Sequence, residues 1–202
     1  MVNLSVRVIR HSFTEYQMSH KLWFLPASGA DAISATANTD GFTVLNAIAR
    51  FYRWDNDEIR RASDEANKRK QVAILRRSQP TLFIVPRTHA SDQASIKLLV
   101  GDLLMAVDAA RCKQLQFTHF GFTNRVKFDW ELEAFIASLL TENLAPQLRR
   151  VFIDIDYRCR DTPQFFYDKF QHQTLGTRFR DLKTLPHTEH FIRELLVPID
   201  QV

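Results

Sequence analysis

Short apolar runs fenced by turn residues alternate along this chain with longer stretches of helical periodicity, and that alternation limits the fold more than any other feature. The clearest run is Thr81-Leu82-Phe83-Ile84-Val85, set between Pro80 and Pro86. A short β-rich run between prolines reads as a strand buried in the middle of a sheet. Downstream, residues 92–112 place Ile96, Leu99, Leu103, Val107 and Ala110 on one helical face. Leu115 to Phe120 reads as the next strand. An amphipathic helix over 129–143 follows, built on Trp130, Ala134, Ile136, Ala137 and Leu140, and then a strand from Val151 to Ile155. Upstream, Leu4 to Ile9 alternate apolar and polar residues as a half-buried or edge strand does, and Leu22 to Leu25 form a short apolar run. Ala30 to Ala37 give a further strand, ending in the turn signal Asn38-Thr39-Asp40-Gly41. Helical spacing from Val44 to Tyr52, a charged helix from Asp57 to Arg77, and helices near Pro163–Gln173 and Glu189–Leu196 complete the pattern.

Strands separated by helices need crossover connections, which give parallel pairing and a sheet covered on both faces. The expected fold class is therefore α/β, a three-layer α/β/α sandwich with a mixed, mostly parallel sheet. Residues 1–160 are assigned to this domain, and 161–202 to a C-terminal helical appendage packed on it. The chain is 45% hydrophobic and 25% charged, enough apolar material for its own core. Cys112 and Cys159 lie far apart outside any C-x-x-C pair, which suggests free thiols in a reducing compartment. The first residues, Met1-Val2-Asn3-Leu4-Ser5, do not begin a leader, and no apolar run approaches the roughly 20 residues of a membrane span. The expectation is a soluble cytoplasmic protein with no membrane partner.

The net charge is only +4. The basic stretch Arg60, Arg61, Lys68, Arg69, Lys70, Arg76, Arg77 is interleaved with Asp57, Glu58, Asp64 and Glu65 at i,i+4 spacing. It reads as a solvated helix face rather than a nucleic-acid footprint, and no aromatic residue in it offers base stacking. The chain contains no G-x-S-x-G, Walker, G-x-G-x-x-G or H-E-x-x-H motif, which sets aside the nucleophile-elbow and P-loop enzyme classes.

In a parallel sheet, ligands bind beyond the carboxyl ends of the strands, where loops and helix N-termini present backbone N–H groups. Residues 36–44, 86–95 and 118–127 occupy those positions. Asn38 to Gly41 suits a ligand loop and equally a plain strand-to-helix turn capped by Thr39 or Asp40. Gly121, followed by Thr123, Asn124 and Arg125, suits an anion-contacting loop, with Arg125 able to pair with phosphate. His119 reads either as a satisfied histidine or as a base acting with Asp154 or Asp156, which share one face of their strand. Those two acids fit a solvated strand end near Arg149, Arg150 and Arg158 better than an ion site. His187 and His190 have H-x-x-H spacing with Glu189 between, but no third ligand completes a set, so no metal and no resident cofactor is expected.

The segment Asp31-Ala32-Ile33-Ser34-Ala35-Thr36-Ala37-Asn38, with Gly41-Phe42-Thr43-Val44-Leu45-Asn46-Ala47-Ile48 after it, resembles the macro domain, the α/β/α module that binds ADP-ribose. That family has a strand of the form D-A-I-V-N-A-A-N, a glycine-rich loop and a helix opening G-V-D-x-A-I. The later order of elements matches as well, and Thr118-His119-Phe120-Gly121-Phe122 looks like the second ligand loop. The resemblance spans roughly 31–156. It implies a ligand of the ADP-ribose class or another nucleotide, bound by Asn38, Gly41, Phe42, Thr43, Val44, Gly121, Phe122, Thr123, Asn124 and Arg125, with 87–89 alongside. Asn38 matches the asparagine that reaches the ribose. Ala35 stands in place of an earlier family asparagine, and the first loop is shorter and keeps only Gly41. Leu45 stands where hydrolytic members place an acid, and no aspartate near Trp23 matches the one that reads adenine. The resemblance thus implies a binding domain that is non-catalytic or degenerate, with an ADP-ribosyl hydrolase as one alternative. The other is a protein-interaction or assembly domain, open to homo-oligomers, anchored by Phe165, Phe166 and Tyr167.

Overall fold

A computed structural model describes residues 3–9, 26–39, 43–76, 80–87, 92–118, 120, 125–156, 179–184 and 190–198. Their order is β1 (Asn3–Ile9), β2 (Ala32–Thr36), α1 (Val44–Tyr52), α2 (Asn56–Arg69), β3 (Ala73–Leu75), β4 (Thr81–Val85), α3 (Gln93–Ala109), β5 (Gln114–Thr118), α4 (Arg125–Leu140), β6 (Arg150–Asp156), β7 (Phe179–Thr184) and β8 (His190–Pro198). The strands form one sheet in the order β3-β4-β2-β5-β6-β1-β8-β7. Its middle, β4-β2-β5-β6-β1, is parallel throughout, while β3 at one side and β8-β7 at the other run antiparallel. This is the mixed, mostly parallel α/β sheet that the alternation of elements implies.

Side-chain alternation sends neighbouring residues of each strand to opposite faces, and each face has its own helices. Ile33, Ala35, Ala37, Leu82 and Ile84 pack against Leu45, Ile48 and Ala49 of α1 and Ile59, Ala62 and Ala66 of α2. Ala32, Phe83, Val85, Leu115, Phe117, Val151 and Ile153 pack against α3 and α4 on the other side. The Phe117 ring lies stacked on Phe135 with centroids 4.2 Å apart, and edge-on to Phe120 at 5.6 Å. Truncating a buried phenylalanine of this kind costs about 3–5 kcal/mol. Phe117 therefore fixes α4 against β5.

At the amino ends of the strands one residue ties three segments together. The Asp31 carboxylate accepts the Lys113 and Gln114 amides at 2.9 Å each, and its backbone oxygen accepts the Thr81 amide at 2.8 Å. Gly29 precedes it with φ +83, and a Cβ there would lie 3.2 Å from the Gln114 side chain. This is one place where the chain needs one of its few glycines. Nearby Cys112 is buried, and burial together with the Asp31 charge pushes its thiol up, as befits a structural thiol.

Several expectations need correction. The charged helix ends at Arg69, not Arg77, because Lys70 turns into the left-handed region (φ 55) and closes it. The apolar residues after it then extend as β3, a short strand antiparallel to β4. β1 is no edge strand, since it pairs with β6 on one side and β8 on the other. The helix read near Glu189–Leu196 is strand β8, so the described parts of 161–202 are two strands continuing the sheet where helix was expected. Phe191, Ile192, Leu195 and Val197 suit either periodicity in so short a run, and a ladder to β1 and β7 decides it. Leu22–Leu25 and Pro163–Gln173 lie outside the described residues. Among the described residues, no helix is long and apolar enough to cross a membrane.

Candidate functional site

The connections of the sheet diverge at the carboxyl end of β2. β2 leads into α1 and α2 on one face of the sheet, whereas its neighbours β4 and β5 lead into α3 and α4 on the other. Adjacent parallel strands whose connections leave to opposite faces open a crevice beyond their carboxyl ends. The hydrogen-bond ladder parts sooner between β2 and β5 than between β2 and β4. β2 stays paired with β4 through Thr36 and Val85, and the Ala37 amide still donates to the Val85 oxygen at 2.7 Å. Its pairing with β5 stops two residues earlier, at Ser34 and Phe117. At the parting, the Thr118 hydroxyl donates to the Ser34 oxygen at 2.6 Å.

The first loop leaves β2 at this parting and is braced by neutral groups. Thr43 is the N-cap of α1, in extended backbone, and its hydroxyl accepts from the Asn46 amide at 3.3 Å. The same hydroxyl donates to the Asn38 oxygen at 2.7 Å, and the Asn46 amide side chain donates to the Thr39 oxygen at 3.1 Å. The cap is thus Thr43 rather than Thr39 or Asp40, because helical backbone begins only at Val44. The first turn of α1, Val44-Leu45-Asn46-Ala47, contains no acid, whereas Asp92 caps α3 and accepts the Ser95 amide at 2.8 Å. Among the described residues, the first turn of α1 thus brings no acid to the positive end of the helix. Leu45 is 1% exposed within the α1/α2 apolar layer, so an acid introduced there would be enclosed in hydrocarbon.

Two side chains that sequence reasoning passed over hold the strand exits. Asn67, on α2, donates to the Ala37 oxygen at 3.1 Å and accepts the Arg87 amide at 2.7 Å, joining the exits of β2 and β4. An asparagine in a run of charged helix residues gives no sign of this in the sequence. Glu131, on α4, is fully buried, and its Oε1 accepts the Phe120 amide just past β5 at 2.8 Å. Burial pushes its carboxyl well above the usual carboxylate range, partly offset by that amide. Its Oε2 has no hydrogen-bond partner, and nor does the buried Thr36 Oγ1 at the end of β2.

Of the candidate residues, Asn38, Thr43 and Val44 lie together in this braced loop, each half-buried. Arg125 opens α4 from the neighbouring strand's exit, and Arg87 lies exposed at the exit of β4. Gly41, Phe42, His119, Gly121, Phe122, Thr123, Asn124 and residues 88–89 lie outside the described residues. Asp154 and Asp156 are on β6, and His190 opens a strand, so the helical H-x-x-H premise does not hold. His187, Cys159 and the aromatic segment 165–167 also lie outside the described residues.

No protein-family model and no curated protein matches the sequence. Solved structures do match. The DarG macrodomain of Mycobacterium tuberculosis aligns over 64% of this chain and 92% of its own, at 15% identity and a TM-score of 0.50. The DarG macrodomain of Thermus aquaticus aligns over 75% of this chain and 99% of its own, at 11% identity and 0.49. The Trypanosoma brucei macrodomain, solved in complex with ADP-ribose, aligns over 69% and 62%, at 14% identity and 0.48. At such identities the likeness is one of fold, and the fold of this chain is that of a divergent macro domain.

Proposed function

We propose that this macro-like domain binds a nucleotide of the ADP-ribose class at the parting of β2 and β5 and does not hydrolyse it. The observation that supports this best is the acid-free end of α1, capped by a neutral hydroxyl, facing a crevice between strands whose connections diverge. Backbone amides at such a helix end suit a diphosphate, and the first turn of α4, Arg125-Val126-Lys127-Phe128, adds cationic residues beside them. In this reading Asn38 meets the ribose, an amide being able to donate to one hydroxyl of a diol and accept from the other. Gly41, Phe42, Thr43 and Val44 line the phosphates from one side, and Gly121, Phe122, Thr123, Asn124 and Arg125 from the other. The buried Leu45 argues for binding without hydrolysis, since the acid of hydrolytic members has no counterpart there.

Calorimetric titration with ADP-ribose tests the reading. Saturable heat is expected, with affinity falling about tenfold for Asn38→Ala as hydrogen bonds to the ribose are lost. No heat at millimolar ligand, or equal affinity in the variant, overturns it. A second reading, as an assembly domain, draws on Leu98 and Met105, which lie 71% and 51% exposed, two turns apart on α3. Light scattering that shows a dimer dissociated by Leu98→Asp would favour that reading.

A further inference from the structure

Among the described residues Glu131 is the one acidic side chain that is wholly enclosed. It belongs to the part of α4 whose neighbours Leu132, Phe135 and Ile136 pack on the sheet. Side chains on a helix lean toward its N-terminus, so the carboxyl reaches back to where the chain leaves β5. There it binds the Phe120 amide with one oxygen and leaves the other without a partner. An apolar residue in that space would avoid the cost of enclosing a half-satisfied acid. The unpartnered Oε2, with the unpartnered Thr36 Oγ1 at the end of the adjacent strand, leaves unmet polarity at two of the strand exits beside the crevice.

We propose that Glu131 is a positioning residue of the crevice: by holding the Phe120 amide it fixes the exit of the chain from β5, and with it the aim of the α4 N-terminus at a ligand. The ligand half of this inference rests on the nucleotide-binding reading, whereas the anchoring half does not. Glutamine at this position keeps an oxygen for the Phe120 amide. Methionine fills the space and keeps the core packed but offers no such acceptor.

The test uses the full chain as wild type, Glu131→Gln and Glu131→Met. Hydrogen exchange at the Phe120 amide is expected to stay slow in the first two and to quicken about tenfold or more in Glu131→Met, with core amides unchanged, because only a local bond is lost. ADP-ribose affinity is expected to fall about tenfold in Glu131→Met and to be restored within about threefold in Glu131→Gln. Equal Phe120 exchange in all three proteins overturns the anchoring. So does a Glu131→Gln variant that exchanges as fast as Glu131→Met. Equal affinities in all three overturn the aiming of α4. If wild type binds no ADP-ribose, the functional reading fails by itself, and Phe120 exchange still decides the role of Glu131.

Discussion

The turns at the two ends of β2 are braced by groups of different charge. At the amino end a carboxylate, Asp31, satisfies the Lys113 and Gln114 amides, so the charge needed there comes from the protein. At the carboxyl end the corresponding braces are Thr43, Asn46 and Asn67, all neutral. Acids also reach that end of the sheet: Asp92 at the start of α3, Asp154 and Asp156 at the end of β6, and Glu131, whose carboxyl burial pushes well above the usual carboxylate range. Two helices carry their own anions: Asp55 caps α2 through the Asp57 and Glu58 amides, and Asp92 caps α3 where it leaves β4, at the same carboxyl end of the sheet. The contrast at the carboxyl end is thus between two helices: α3 begins on a carboxylate, whereas α1 begins on a neutral hydroxyl with no acid in its first turn.

Removing the amino-end charge is expected to have the largest effect. Asp31→Ala leaves amides of the β5 turn without their acceptor and should cost about 2 kcal/mol in denaturant unfolding. Its effect on ligand affinity should be negligible, because the crevice lies at the far end of the strands. Adding a charge at the carboxyl end should do the reverse. Aspartate keeps the helix cap but cannot donate to the Asn38 oxygen, so Thr43→Asp should cost about 1 kcal/mol in stability. By placing a carboxylate at the proposed phosphate site, it should weaken ADP-ribose binding about tenfold, more at low salt than at high.

Cutting the brace between strand exits is expected to have a smaller effect. Asn67→Ala loses one bond to Ala37 and one to Arg87, and a drop of about 1 kcal/mol in stability is expected. Weaker ADP-ribose binding should accompany it, while the Asp31 hydrogen bonds stay intact by amide exchange. The subtlest difference concerns pH. The folded state keeps the Glu131 proton to higher pH than the unfolded chain does, so above the ordinary glutamate value of about 4.3 the folded state binds more protons. Stability should therefore fall as pH rises from there to the raised folded value, then level off. Glu131→Gln should remove that decline in urea titrations across the window. A decline of the same size in the variant would assign it to another group.

Much of the fold was legible because periodicity and turn residues agreed. Val44–Tyr52 and Thr81–Val85 carry both signals and were read to the residue. Where the sequence misled, long-range pairing decided the outcome. β8 has a partner on each side that its residues cannot announce, and β3 follows a left-handed turn at Lys70, a residue with no preference for one. The bracing of the strand exits was not legible. Asn38 and Thr43 are joined by a hydrogen bond in the loop between β2 and α1. Asn67 and Glu131 act through bonds to the backbone of distant segments, 20 and 11 residues away in sequence, and no local pattern encodes such bonds. The scarcity of glycine also reads differently at the two ends. Gly29 is needed for its φ of +83 beside Gln114, while the first loop is closed by side-chain bonds from Thr43 and Asn46.

The most direct test of the proposed crevice at the acid-free start of α1 is an amide chemical-shift titration of the whole chain with ADP-ribose. Shifts confined to residues 38–46, 86–95 and 118–127, saturating together, are expected, with the amides of Asp31, Lys113 and Gln114 unmoved. Shifts centred on the amino-end amides, or none at millimolar ligand, would contradict it.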